Sequence, residues 1–197
     1  MADEYNELEF IDAAAWEAWL EVNAETIGGV RLRIAKKGSA HTTVSHQEAL
    51  DVALCHGWID ARRNALDADY FLQTFTLRRA RSLWSQVNRD KVAMLIEAGR
   101  MRAGGQREID RAMADGRWDA AYASSKSIEV SPELAEALRA NPEADAFFAT
   151  LSAQNRYAIL FRLHNAKRPE TRTRSIAKFV AMLAAHETIY PQPPAKP

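Results

Sequence analysis

The sequence predicts an α+β fold, a small and mainly antiparallel sheet packed with helices, followed by a C-terminal helical module. Three observations carry this. Apolar side chains alternate at Val30, Leu32 and Ile34, the period of a half-buried strand, and two aromatic and β-branched runs follow at 58–63 and 70–77. Elsewhere apolar residues recur at helical spacing. Glycine and proline are segregated, with all eight glycines at or before Gly116 and all seven prolines at or after Pro132. The expected division is an α+β domain over 1–122, a linker or surface loop over 123–130, a helical module over 131–188 and a proline-rich tail over 189–197.

The elements follow in order. Asp12 is an N-cap for a helix whose Trp16, Trp19 and Leu20 share one face. Gly28-Gly29 breaks the chain before the alternating strand. Ser45 and Glu48 have capping-box spacing for a helix that buries Ala49, Leu50, Ala53 and Leu54 and ends at Gly57. The runs at 58–63 and 70–77 are strands around a turn over 64–69, where Asp67 and Asp69 suit the loop. From Ser82 the pattern is helical. Val92, Leu95 and Ile96 define one face before Gly99, and Ile109, Ala112 and Met113 define the next before Gly116. Pro132, Pro142 and Pro169, each followed by glutamate, open three further helices. Tyr157, Leu160, Phe161 and His164 form an amphipathic stripe, as do Ile176, Phe179, Val180 and Leu183. The end of the chain reads as extended and mobile.

At 197 residues, 47% hydrophobic and 26% charged, the chain can bury a core without disulfides or metals. Net charge is zero, which gives no global attraction to nucleic acid or an anionic membrane. The charge is uneven. Residues 1–60 carry 4 basic and 11 acidic side chains, and residues 61–118 carry 12 and 7. The single Cys55, an acidic start without a hydrophobic leader, and the absence of a long apolar run lead us to expect a cytoplasmic protein without a membrane span.

Most chemistries find no support. Five scattered histidines and one cysteine are a poor metal set, and no cofactor is expected. Cys55 and His56 are adjacent on a helix and point about 100° apart, so they form no nucleophile–base pair. Gly104-Gly105 lacks the strand and the Gly-Lys-Ser/Thr of a phosphate loop and reads as a turn.

The densest polar constellation runs from Asp60 to Asn88. Trp58, Asp60 and Arg62 share one strand face, with Ile59 and Ala61 on the other. The next strand ends in Arg78, Arg79 and Arg81, followed by Ser82, Trp84, Ser85 and Asn88. Arginines, hydroxyls, an aromatic and a helix start are what an anion site needs. A structural reading stands beside it: Asp60 pairs with an arginine, Ser85 or Asn88 caps a helix, and Trp84 is core. On the binding reading, Asp60, Arg78, Arg79, Ser82, Trp84, Ser85 and Asn88 hold a small anionic ligand or an acidic protein partner at the sheet–helix junction. Lys36 and Lys37 at the end of the first strand add charge. An enzymatic alternative makes Asp60 the general base toward a phosphorylated or carboxylated metabolite. A third reading uses the basic run over 156–178, seven basic residues against Glu170, to bind nucleic acid. No aromatic residues alternate with those charges, so a solvated helix face is the expectation there.

Several segments carry a family resemblance. They are 48–60, ending His56-Gly57-Trp58-Ile59-Asp60; 78–89, beginning Arg78-Arg79-Ala80-Arg81-Ser82-Leu83-Trp84; Gly99-Arg100-Met101; 115–122, beginning Asp115-Gly116-Arg117-Trp118; and Ala166-Lys167-Arg168-Pro169-Glu170-Thr171-Arg172. On these the chain resembles the YdeI/OmpD-associated family, the bacteriocin-protection proteins. It departs at His56, where the family usually has an aromatic, and at Leu77, where it often has proline. The resemblance implies stress protection against bacteriocins or antimicrobial peptides, and it likens the last helices to the family's short helical module. It carries over no reaction and no catalytic residue, so a non-enzymatic binding protein is expected.

Overall fold

The computed structural model describes residues 5–192. It is α+β and divides into two compact units, with the boundary between Ala121 and Tyr122. The first unit holds β1 (Glu7–Leu8), α1 (Ala13–Asn23), β2 (Gly29–Ala35), α2 (His46–Cys55), β3 (Trp58–Ala65), β4 (Tyr70–Leu77), α3 (Gln86–Glu97) and α4 (Ala103–Ala114). Its sheet has the order β1-β2-β4-β3. The pairs β2–β4 and β4–β3 are antiparallel, as the alternation predicts. The two-residue β1 adds a parallel pair to β2, too short to leave a periodic signal.

One sheet face is covered by helices. Val30, Leu32, Ile34, Trp58 and Phe75 pack there against Trp16 and Leu20 of α1 and against the apolar side of α2. The indole N–H groups of Trp16 and Trp58 are satisfied by carbonyls, Trp16 on Ala49 and Trp58 on Ala24. The predicted caps are in place. Asp12 accepts from Ala15 N, and Ser45 and Glu48 form the full capping box.

The ladder between β3 and β4 is broken by a bulge. Asp60 pairs with Phe75 and Arg63 with Gln73, so two residues of β3 oppose one of β4. The buried Gln73 repairs the break, its amide donating toward the carbonyls of Ala61 and Arg62 while its Oε1 accepts from Arg63 Nε. Because the bulge resets the alternation, Arg62 lies on the face of Ile59 and Ala61. The expectation that it would accompany Trp58 and Asp60 is corrected.

Other expectations also change. The helix after the sheet starts at Gln86 with Ser85 as its cap, later than Ser82. Ile96 and Met113 are exposed, so the buried faces of α3 and α4 rest on Val92 and Leu95 and on Gly105, Ile109 and Ala112. Gly104 and Gly105 do not form a turn. They lie in the first turn of α4, where the backbone of α2 approaches. Arg102 N donates to Cys55 O there and satisfies one of the open carbonyls at the end of α2.

This contact also buries His56, only 7% exposed, with Nε2 4.0 Å from a Glu17 carboxylate that Arg102 already holds. Burial holds the imidazole pKa below its ordinary value, with Glu17 opposing weakly. The folded protein therefore keeps His56 neutral while the unfolded chain takes up a proton below about pH 6.5. Stability should fall as pH drops through that range, by at most about 1.4 kcal/mol per pH unit from this group. A His56→Phe variant should have a flatter melting temperature between pH 7 and 5. Equal slopes for the two proteins would remove His56 as the cause.

The second unit is helical: α5 (Pro132–Arg139), α6 (Pro142–Ala149), α7 (Ala153–Asn165) and α8 (Pro169–Ala184). Proline opens α5, α6 and α8, and Ser131 and Asn141 cap the first two. Leu134, Leu138, Phe148, Ile159, Ile176, Phe179 and Leu183 make a separate core, on which Ile128 and Val130 also pack. On α7 the buried residues are Asn155, Ala158, Ile159, Leu160 and Leu163, whereas Tyr157, Phe161 and His164 are only half-buried. The predicted stripe is thus rotated. Its cause is Asn155, a buried polar residue that binds Tyr190 O, Tyr190 N and Gln192 Oε1. The described part of the tail is thereby tied down where a loose end is expected from sequence. Residues 193–197 lie outside the described residues.

Candidate functional site

The face of the sheet opposite the helices carries a hollow of about 750 Å³. Ile59, Leu72 and Leu77 give it an apolar strip, and Asn64, Thr74 and Thr76 add small polar groups. Leu72 is buried yet belongs to neither core cluster, which fits its place on this outer face. Three arginines, Arg31, Arg62 and Arg79, line the hollow, and no carboxylate does. Arg31 is held by Glu7 at 3.2 Å and by the Tyr5 carbonyl. Arg62 is exposed, and its guanidinium has no hydrogen bond or ion pair among the described residues. Arg79 is also exposed, at the start of the connection to α3, and Ser82 Oγ accepts from its backbone N–H. An apolar strip within a cationic rim suits a ligand with an apolar body and a negative group.

The residues singled out from sequence do not form one site, and Asn88, half-buried at the start of α3, lines neither this hollow nor the second one, beside Lys36 and Lys37. Arg79 and Ser82 line this hollow. Arg78, Trp84 and Ser85 are buried structural residues. The Arg78 guanidinium lies 3.7 Å from the Trp84 ring centre and donates to Leu83 O, Trp84 meets Trp118 edge-on, and Ser85 caps α3 by accepting from Asn88 N. Lys36 and Lys37 line a different hollow beyond the end of β2, together with His46.

Asp60 lines neither. Its Oδ2 lies 3.1 Å from His46 Nε2, so its partner is an imidazole rather than an arginine. Cys55 is buried, and burial pushes its thiol pKa up, which makes it a packing residue rather than a nucleophile. Sequence reasoning missed Arg62, because only the bulge puts it on the open face. It also missed Arg31, although its alternation with Val30 and Leu32 marks it as outward-facing.

Among the described residues no helix is long and apolar enough to cross a membrane. In the second unit, the basic run over 156–178 is partly engaged within its own fold. Arg172 pairs with Glu133, Arg156 lies over the Phe148 ring and Arg162 donates to Ala158 O.

Two family models match the chain. One, described as a domain of unknown function (DUF8412), matches residues 8–108. The other, described as bacteriocin-protection, YdeI or OmpD-associated (OmdA), matches residues 127–186. The family resembled in sequence is thus found on the helical unit. Of the segments that carried the resemblance, 166–172 falls within that match, while 48–60, 78–89 and 99–101 fall within the other. No curated protein and no solved structure matches the chain.

Proposed function

The chain belongs to the DUF8412 family and carries an OmdA domain after it, and from that premise we propose that it serves in bacteriocin protection as a binding protein. Its ligand is small and anionic with an apolar body, and it occupies the open face of the first unit's sheet. One observation carries this reading: an apolar strip of Ile59, Leu72 and Leu77 beside Arg31, Arg62 and Arg79, in a hollow without a carboxylate. Charge supports the choice of an anion: Arg62 and Arg79 add positive charge to the rim, which disfavours capture of a cationic peptide on this face. The partly buried Asp60–His46 pair on the opposite face contributes nothing to this site.

The test uses 1-anilinonaphthalene-8-sulfonate, an aromatic body with one sulfonate, titrated by fluorescence into the folded protein. The Arg62→Ala/Arg79→Ala double variant should bind it at least about tenfold more weakly, the loss expected for two charge-assisted contacts. Its melting temperature should stay within a few degrees, because both side chains are exposed. Unchanged affinity in the double variant would refute the site.

A further inference from the structure

We propose that the second hollow of the first unit, formed by the loop after β2, the start of α2 and the end of β3, binds a phosphate monoester. It measures about 600 Å³. Five side chains that carry or can take positive charge line it: Lys36, Lys37, His41, His46 and Arg63. No carboxylate is among its lining residues.

The charges around it are unevenly paired. Residues 1–60 hold only four basic side chains, all between positions 31 and 37. Two are matched with acids, Arg31 with Glu7 at 3.2 Å and Arg33 with Glu9 at 3.9 Å. Lys36 and Lys37, the pair beside the hollow, form no ion pair among the described residues, and the Lys36 ammonium rests on the Asp67 carbonyl. The nearby acids Asp60, Asp67, Asp69 and Glu48 each have hydrogen-bond partners of their own, and Asp67 also interacts with the Lys36 charge. Asp67 accepts from the backbone N–H groups of Asp69 and Tyr70, which hold its carboxyl below the usual range. Asp69 accepts from Ser39, and Glu48 is folded back on Ser45.

The donors are also held in place. The Arg63 guanidinium lies 4.3 Å from the Phe71 ring centre and its Nε donates to Gln73, which leaves both Nη groups without a partner among the described residues. His46 is fixed through Nε2 to Asp60 and keeps Nδ1 unspent. His41 stacks on Tyr70 at 5.0 Å, its ring nitrogens unbonded among the described residues. Groups oriented by packing lose little freedom when a ligand arrives.

So many donors exceed what one carboxylate can accept. A phosphate monoester, with close to two negative charges and three acceptor oxygens, matches them. Most of its lining side chains are polar, with Ile34, Ala35 and Phe71 as the apolar ones, so the rest of the ligand is small and mainly polar. This site is independent of the sheet-face reading.

The probe is inorganic phosphate, titrated into the full chain at constant pH and ionic strength and followed by backbone amide NMR. Saturable shifts are expected at Lys37, Gly38, Ser39, His46 and Arg63. Lys37→Glu should weaken binding at least about tenfold. His41→Ala, at a second exposed position, should weaken it too and serves if the first variant disturbs the loop. Arg62→Ala/Arg79→Ala should leave phosphate binding unchanged, which separates this site from the sheet face. Shifts that do not saturate, shifts centred on the sheet face, or unchanged affinity in folded Lys37 and His41 variants would overturn the proposal.

Discussion

Replacing Gly105 with alanine should cost the first unit about 3 kcal/mol or more, the upper range of overpacking in a closed contact. A Cβ at this position would sit 2.4 Å from Cys55 O and 2.7 Å from Leu54 O. Neither carbonyl is free to retreat, because both belong to the last turn of α2 and Cys55 O already accepts from Arg102 N. The Met101 sulfur, also 2.4 Å away, could move aside, but the carbonyls cannot. Gly57, with φ of +81°, faces the same contact from the other side, and its Cβ would meet Gly104 O at 2.7 Å. A thermal melt should show Gly105→Ala falling by about 10 °C. Gly28→Ala provides the control, since nothing lies within 4 Å of a Cβ there, and its change should stay within about 1 kcal/mol. Equal melting of the two variants would mean that the helices do not meet at this distance.

Arg78→Ala and Arg79→Ala should part in the opposite way from what their adjacency suggests. Arg78 is only 4% exposed, stacked on Trp84 and bonded to Leu83 O. Its loss removes a desolvated cation–π contact and the packing of a long side chain, together about 2–3 kcal/mol. Arg79 is exposed and its loss should move the melting midpoint little. Binding of the anilinonaphthalene probe, compared at a temperature where both variants are folded, should fall for Arg79→Ala and persist for Arg78→Ala. If Arg78→Ala melts like the parent while losing the probe, Arg78 belongs to the site and its structural assignment fails.

Much of the frame is legible from local signals. Asp12, Ser45 and the three proline starts announce their helices because caps are short-range chemistry. The strands show through alternation at Val30, Leu32 and Ile34. What stays hidden depends on tertiary contact. Gly104-Gly105 reads as a turn because its reason, the carbonyls of α2, lies some fifty residues earlier in the chain. The α7 stripe is misread because Asn155 is buried only by virtue of the chain's far end.

The candidate site is half legible for the same reason. A run of arginines and hydroxyls over 78–85 advertises an anion site, yet sequence cannot show that Arg78 turns inward and Arg79 outward. Nor can it show the bulge that carries Arg62 to the open face or the imidazole that takes up Asp60. Lys36 and Lys37 are correctly marked as cationic, but the partners that give them a hollow, His41, His46 and Arg63, are drawn from three separate elements.

The irregularity in β3 has a further consequence, since β3 forms one edge of the sheet. A regular edge would offer a second molecule a continuous row of backbone donors and acceptors. Here the extra residue interrupts that row between Asp60 and Arg63, and the consecutive Arg62 and Arg63 place positive charge at the break. Intermolecular strand addition is thereby discouraged by both geometry and charge, so the same deviation that turns Arg62 to the open face also guards the protein against self-association into aggregates.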